Sequence, residues 1–464
     1  MVSRRVMRRR RQFAVGGVLV LLLLIYFAFF SGGGGNSGTS GSSTTSTAPG
    51  HHATVAAEHF PRRSPLNPDW KGNGKTVTLG FGGDVHFAGV VGENLAKNPA
   101  TALGTTIPQL FSGAQLRMVN LETAVTDGTC PEPQSKPYIF DAPASAVTAL
   151  KSASISLATE ANDHGLDCGP QGLSQNLTIA QQASYPIVGI GNTAAQAFAP
   201  YRITIDGQRI AVITATQVIA DNLMSTWTAT ATQPGVASAI DPTELVREVQ
   251  QVRRTADTVI VYVHWGTETQ ACPDPQQEPL AQQLVKAGAD IVIGSGTHVL
   301  LGGGYLGSAY VDYGLGNFAF YDDAAPETSS GSLILTAEGR HITGVVFRPA
   351  TILAGLPQPL SGTPAATALQ SWNAARGCTG LSATPSTSAA TMRGETVAFV
   401  APPATTTTTT APGSAATTTT TAPGSGATTT TTDRSGSTST SSGTSGTTTT
   451  APASTTTSPT DNAG

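Results

Sequence analysis

The stretch TVTLGFGGD (76–84) is apolar up to a group of glycines and then turns polar, the profile of a buried strand that ends at a turn. TVIVYV (258–263) and ADIVIG (289–294) are apolar runs too short for helices, and they predict strands covered on both faces. Between them, QEPLAQQLVKAG (277–288) has apolar residues at helical spacing and closes at Gly288. A second helix, LVREVQQVRRTA (245–256), follows Asp241-Pro242-Thr243-Glu244. There Asp241 is placed to cap, Pro242 to take the first helical position, and Glu244 to sit three residues past the cap. SAYVDYGLGNFAFY (308–321) and GSLILTAEGRHITGVVFRP (331–349) predict antiparallel strands, the second turning at its central Glu-Gly. Strand and helix alternate with short connections, so the fold class is α/β. A mixed sheet or two packed sheets flanked by helices is expected, rather than a simple doubly wound sheet.

The ends of the chain follow other patterns. Residues 1–12 hold six arginines and no acid, and Phe13–Phe30 then runs for 18 residues without a charge. At ~1.5 Å per residue such a helix spans roughly 27 Å, close to the hydrocarbon thickness of a bilayer. The arginines would keep the amino end in the cytoplasm and send the rest outside. A cleaved signal peptide is the rival reading, but its apolar region is ~7–15 residues and ends at a small-x-small site, which FAFFSGGGG lacks. The expected organisation is a basic leader (1–12), an uncleaved single-pass anchor (13–30), a Gly/Ser/Thr-rich linker (31–73), one domain (74–382) and a disordered Thr/Ser/Pro/Gly-rich tail (383–464). The tail reads equally as an O-glycosylated stalk or as unmodified filler. The anchor makes the lipid bilayer a partner and places the folded domain on the extracytoplasmic side of the cell membrane.

The formal charge is −4, and removing the leader's six arginines leaves −10 for the remainder, a poor surface for nucleic acid. The four cysteines, Cys130, Cys168, Cys272 and Cys378, all follow the anchor, where disulfides persist. None forms a C-x-x-C pair, so two disulfides are expected, with three pairings open.

Polar residues recur at the carboxyl ends of the apolar runs. Asp84 and His86 follow the first strand, Glu122 follows MVN, Asp163 and His164 follow SISLATEA, His264 follows TVIVYV, and His298 follows DIVIGSG. Ligand sites of α/β sheets gather at these ends. Each residue alone could be a cap, an Asx turn or a core histidine; the repetition points to a site. Histidine and carboxylate without cysteine suit a hard or borderline dication such as Mn, Fe, Zn or Mg.

The segments GGDVHF, VNLET, ANDHGLDCG, VYVHWGTE, DIVIGSGTHV and DYGLGNF, in that order over residues 76–350, resemble the poly-γ-glutamate capsule-synthesis (CapA-type) family. That family is itself similar to the calcineurin-like metallophosphoesterases. The resemblance implies a metallophosphoesterase-like layered fold and one or two divalent metal ions. It makes Asp84 and His86 the D-x-H that opens a two-metal site, Glu122 the bridging acid, and His164 the proton donor to a leaving group. Asp163, where the family usually has Asn, with His264 and His298, completes the ligands. One position departs from the pattern: Gly296 stands where the family has a histidine. With the Glu122 and His164 loops meeting at such a site, Cys130–Cys168 becomes the expected disulfide and leaves Cys272–Cys378 as the second. Two functions follow. One is a membrane-anchored hydrolase acting on a phosphoester or other anionic envelope substrate. The other is a non-catalytic protein that guides an anionic polymer through a degraded metal site. Capsule-synthesis membrane proteins would be partners in either.

Overall fold

In the computed structural model, which describes residues 66–322 and 324–386, the apolar runs become the inner strands of two facing sheets. The expected leader, anchor, most of the linker and nearly all of the tail lie outside the described residues. Among the described residues no helix is long and apolar enough to cross a membrane.

The first sheet has eight strands. Seven lie in the order Leu356–Pro359, His341–Leu353, Ser329–Glu338, Val77–Val85, Leu116–Leu121, Leu157–Thr159 and Ile187–Val188, and the eighth, Asn317–Ala319, also pairs with Val77–Val85. The second sheet runs Gly303–Leu306, Ala309–Asp312, Ile291–Ser295, Thr258–His264, Gln208–Thr216 and Tyr201–Ile205. Both are mixed: the first is antiparallel from Leu356–Pro359 to Val77–Val85 and parallel from there to Ile187–Val188, and the second is parallel in the middle and antiparallel at both margins.

Alternation along the strands explains the layering. In Thr258–His264, Ile260 and Tyr262 point into the core between the sheets, where they meet Leu79, Phe81, Met118 and Leu335 of the first sheet. Val259, Val261 and Val263 point the other way, onto Leu245 and Val249 of the helix Thr243–Arg253 and Leu280 and Leu284 of the helix Gln277–Ala287. A third core packs Val91, Leu95, Ala146 and Leu150 against the outer face of the first sheet. Two-sided burial is why these strands read as continuous apolar runs.

The helix ends follow the local signals. Gly288 takes the left-handed conformation, φ +120°, just past Ala287, closing the helix with backbone hydrogen bonds to Leu284 and Val285. Asp241 Oδ1 accepts from the Thr243 N–H at 3.0 Å, but Pro242 rather than Asp241 is the N-cap, so the helix begins at Thr243, one residue later than expected, and it stops at Arg253 rather than Ala256. The segment 308–321 differs from expectation. Ala309–Asp312 is antiparallel to Gly303–Leu306 but parallel to Ile291–Ser295, and Asn317–Ala319 crosses over to lie parallel to Val77–Val85 in the other sheet. A single short stretch thus ties the two sheets together. The crossover explains the double glycine of GFGGD: the Asp84 N–H donates to the Gly316 carbonyl at 2.9 Å, and a Cβ at Gly83 would sit 1.8 Å from that oxygen.

Both disulfides form as expected, Cys130–Cys168 and Cys272–Cys378.

Candidate functional site

The carboxyl ends of Val77–Val85, Leu116–Leu121 and Leu157–Thr159 in one sheet, and of Thr258–His264 and Ile291–Ser295 in the other, open into one cleft. Asp84 lies within its strand rather than past it, and is wholly buried. Its Oδ1 accepts from the Asn120 side-chain amide at 2.8 Å and its Oδ2 from the Gly296 N–H at 3.1 Å. Glu122 follows Leu121 directly and is 1% exposed. His264 is the last residue of its strand.

Asn120, which the sequence reading passed over, sits at the centre of these three. Its Nδ2 lies 2.8 Å from Asp84 Oδ1, 3.2 Å from Glu122 Oε2 and 3.2 Å from His264 Nδ1. Its orientation is set by Asn162, which donates to Asn120 Oδ1 at 2.8 Å. An amide has two hydrogens for these three acceptors, so one lone pair is left over. Burial, then the Asp84 and Asp163 charges, push the Glu122 carboxyl well above the usual range, against the pull of Lys136.

His298 reaches the same place from the other sheet. Its Nε2 is 3.6 Å from Glu122 Oε1 and its Nδ1 3.7 Å from Asp84 Oδ2. Asn317 Oδ1 accepts from Nδ1 at 2.8 Å, which leaves Nε2 with its lone pair toward the acids. Burial alone would lower its pKa, but Asp84, Asn317 and neighbouring acids hold it above the ordinary histidine value. The backbone there is left-handed, φ +58°, a strained conformation for histidine. Gly296 is left-handed too, φ +93°, and a Cβ there would come within 2.7 Å of His264 Nε2. The glycine at the family's histidine position is therefore what lets the His264 ring approach the backbone.

Asp163 bridges the two halves of the cleft. One oxygen is 3.2 Å from His264 Nε2 and the other 3.5 Å from His164 Nε2. Burial would raise its pKa, but His164, a hydrogen bond from His264, and Lys136 hold it well below the usual carboxylate range. His164 Nδ1 is 2.6 Å from Asp167 Oδ2, and Phe140 stacks on the imidazole at 4.1 Å. Asp167 is buried and also receives the Phe140 N–H at 2.6 Å. Lys136 inserts here with its side chain 8% exposed, 3.1 Å from Asp167 Oδ1, 3.5 Å from Asp163 Oδ2 and 3.2 Å from His164 Nδ1. Neither Lys136 nor Asp167 was singled out from sequence. Asp167 stands three residues after His164, a local signal; Lys136 carries none, since Cys130–Cys168 and the Gln134 N–H to Asp167 carbonyl bond are what bring its loop in.

His86 is placed differently. Its Nε2 accepts the Tyr321 N–H at 3.1 Å, and its Nδ1 is buried with no hydrogen-bond partner. The ring stacks on Phe320 at 3.8 Å and meets the edge of Phe140 at 4.8 Å. Burial, then the charges of His164 and His298, lower its pKa to about 3. To bind a cation through Nε2 it would have to release the Tyr321 N–H.

Two sets of three residues bring donor atoms within 4.8 Å of one another: Asp84, Glu122 and His264, and Glu122, Asp163 and His164. They share Glu122, the residue the resemblance casts as the bridge. A third set, Cys130, Asp141 and Cys168, is occupied by its own disulfide.

Residues 78–322 match the family described as bacterial capsule synthesis protein PGA_cap. The chain belongs to that family. It is 32% identical over 222 residues to the capsule biosynthesis protein CapA of Bacillus anthracis, covering 46% of this chain and 52% of that one. It is 27% identical over 259 residues to the PGA biosynthesis protein CapA of Bacillus subtilis (strain 168), covering 56% of this chain and 67% of that one. The match thus spans about half the length of the Bacillus anthracis relative. Among solved structures it is similar to a phosphatase from Mycoplasma pneumoniae, with 14% identity and a TM-score of 0.37 over 60% of this chain and 94% of that one, too remote a likeness to bear on chemistry.

Proposed function

We propose that this member of the capsule-synthesis family is a membrane-anchored, extracytoplasmic hydrolase of a phosphoester in the cell envelope. The observation that carries this reading is the His164–Asp167 pair standing beside two donor sets that share Glu122. The donors fit a dication: they are hard or borderline, Asp84 and Glu122 crowd two carboxyls out of water so that the second negative charge is disfavoured without a cation, and one lone pair around Asn120 is unserved. Asp84, Glu122, His264 and His298 would hold one ion, with His86 a further candidate, and Glu122 and Asp163 would hold a second if there is one. Ions of Mn, Fe, Zn or Mg held there would polarise a phosphoryl oxygen and lower the pKa of the attacking water.

The chain's own groups do the rest. His164 donates a proton from Nε2 to the leaving oxygen, while Asp167 holds the Nδ1–H and stabilises the imidazolium. Lys136 balances the Asp167 and Asp163 charges, so that the proton donor does not face two uncompensated anions. The buried rings of Phe140 and Phe320 close the floor of the cleft against water. Membrane attachment through residues 13–30, with capsule-synthesis membrane proteins as partners, rests on the arginine leader and the apolar run. The two disulfides support an oxidising, extracytoplasmic setting.

Gly296 favours a second reading, a non-catalytic guide for an anionic polymer, because it withholds a ligand. The acids around the cleft oppose that reading, since without cations they repel polyanions. The test is elemental analysis of the full chain purified in detergent, with hydrolysis of a phosphomonoester and a phosphodiester measured beside it. The expected result is bound divalent metal and turnover that falls ~10²–10⁴-fold in His164→Asn with metal retained. Bound metal with no turnover, and retention on immobilised poly-γ-glutamate, would establish the guide instead.

A further inference from the structure

The parallel ladder between Leu116–Leu121 and Leu157–Thr159 ends at the Asn120–Thr159 pair. Past that pair, Glu122 stands on one segment and Asp163 and His164 on the other. One side chain links the two. Asn162 is wholly buried, and its Nδ2 donates to Asn120 Oδ1 and to the Leu121 carbonyl, each at 2.8 Å. Its Oδ1 accepts the His164 N–H at 2.9 Å, and its own N–H donates to the Glu160 carbonyl at 2.9 Å.

This amide has one orientation. Both Nδ2 hydrogens go to oxygens and Oδ1 takes an N–H, so a flip would set oxygen against two oxygens and an amino group against an N–H. Two of the three partners are backbone groups, so the backbone fixes Asn162, and Asn162 fixes Asn120. With its Oδ1 taken, Asn120 presents only N–H hydrogens to Asp84, Glu122 and His264. The same side chain holds the peptide that leads into Glu122 and the backbone that carries His164 to Asp167. An asparagine that only closed a turn would need the His164 bond alone. The two donor bonds instead reach back 42 and 41 residues, to the strand that carries Asn120.

We propose that Asn162 is a positioning residue that couples the two halves of the cleft. It turns the Asn120 amide toward the groups that would hold the metal, and it sets His164 where its proton meets the leaving group. The proposal rests on the hydrolase reading for the task of His164.

The experiment uses the full chain with Asn162→Ser and Asn162→Ala. A serine hydroxyl still accepts the His164 N–H in a serine turn but is too short for Asn120 Oδ1 and the Leu121 carbonyl; alanine makes none of these bonds. Three quantities are measured. The first is the Mn²⁺ affinity of the chelator-stripped chain. The second is the NMR resonance of the His164 Nδ1–H, assigned by its loss in His164→Asn. The third is turnover of p-nitrophenyl phosphate, whose leaving group needs little protonation, against methyl phosphate, whose leaving group needs it. Mn²⁺ affinity should fall about 10–100-fold in both variants. In Asn162→Ala the His164 resonance should also shift, and methyl phosphate turnover should fall about tenfold further than that of p-nitrophenyl phosphate. In Asn162→Ser the resonance and the ratio of the two rates should stay at wild type. Unchanged Mn²⁺ affinity in both variants overturns the proposal while the hydrolase reading stands. So does an equal loss on both substrates in Asn162→Ala with the resonance unmoved, since Asn162 would then only support the fold. No turnover by wild type, with affinity and resonance responding as expected, removes the hydrolase reading and leaves the positioning role. Should Asn162→Ala fail to fold, the Mn²⁺ affinity of Asn162→Ser decides: lowered, it supports the role; equal to wild type, it overturns it.

Discussion

The molecule buries carboxyl groups in two ways. In the cleft, Asp84, Glu122, Asp163 and Asp167 crowd together among histidines and a lysine. Elsewhere, Glu160 and Asp312 are each buried among neutral groups. Glu160 Oε2 accepts from the Asn176 amide while its Oε1 has no partner; Asp312 accepts the Gly314 N–H at 3.1 Å through Oδ1, and its Oδ2 has none. Burial pushes Glu160 well above the usual carboxylate range and Asp312 up to about 7. The solitary acids answer desolvation by keeping a proton. Asp163, with 23% of its side chain exposed and facing His164, His264 and Lys136, stays an anion. The neighbourhood of cations is what lets Asp163 stay an anion, whereas Glu122, pressed by Asp84 and Asp163, is raised like the solitary acids; a site that gathers acids faster than cations has room for a metal.

Removing one acid from the cleft should have the largest consequence. Asp84→Ala takes away a charged donor, and its effect on metal content or turnover should exceed the ~10–100-fold typical of changes one step further from a metal. Because Asp84 is buried inside its strand, the substitution also leaves the Asn120 amide and the Gly296 N–H short of an acceptor, a cost of ~1–3 kcal/mol. Relief of its repulsion with Glu122 offsets part of that. Metal analysis together with thermal unfolding, with and without a chelator, measures both. Unchanged metal content and activity would reduce the cleft to a polar core like that around Glu160.

Adding a donor instead of removing one should be worse than neutral. Gly296→His restores the family's residue type, and from sequence alone it should strengthen the site unless the backbone there has positive φ. It does, at +93°, and the new Cβ would press on His264. Left-handed strain and overpacking together give an expected destabilisation of about 2–5 kcal/mol, with metal binding lowered rather than gained. A stable variant with raised metal affinity would mean that the His264 ring has another place to go.

How much of this was legible follows from range of interaction. Runs such as TVIVYV and the Gly288 stop are local, and they appear as read. The clustering of Asp84, Glu122, Asp163, His164, His264 and His298 was legible because each follows an apolar run, and parallel strands bring their carboxyl ends to one edge. Asn120 was hidden inside such a run, where a buried amide looks like an interruption. Lys136 was hidden in a loop without periodicity, 28 residues before His164. The parallel crossover of 317–319 could not be told from a hairpin, because strand direction is set by which sheet receives it. His86 had the right residue type and spacing, yet its aromatic cage is built from Phe140, Phe320 and Tyr321, residues far away in sequence.

The smallest effect belongs to the solitary acids, and it should appear in stability alone. Asp312 has a folded pKa of about 7 against an ordinary value of 3.8, so between those limits the folded chain binds more protons than the unfolded one. Stability from this group is full below about pH 4 and is lost as pH rises through 7. Between pH 5 and pH 8 the loss is about 2–3 kcal/mol by linkage. Asp312→Asn keeps an acceptor for the Gly314 N–H and carries no ionisable proton, so its unfolding free energy should lack this component. Denaturant unfolding of wild type and variant at pH 5 and pH 8, both with chelator present, isolates the difference. Metal content should be the same in both proteins. If instead Asp312→Asn leaves the pH dependence intact, the proton is not held at Asp312, and a buried carboxyl can be an anion here without a cation beside it. That result would also undercut the argument that the crowded acids of the cleft call for a metal.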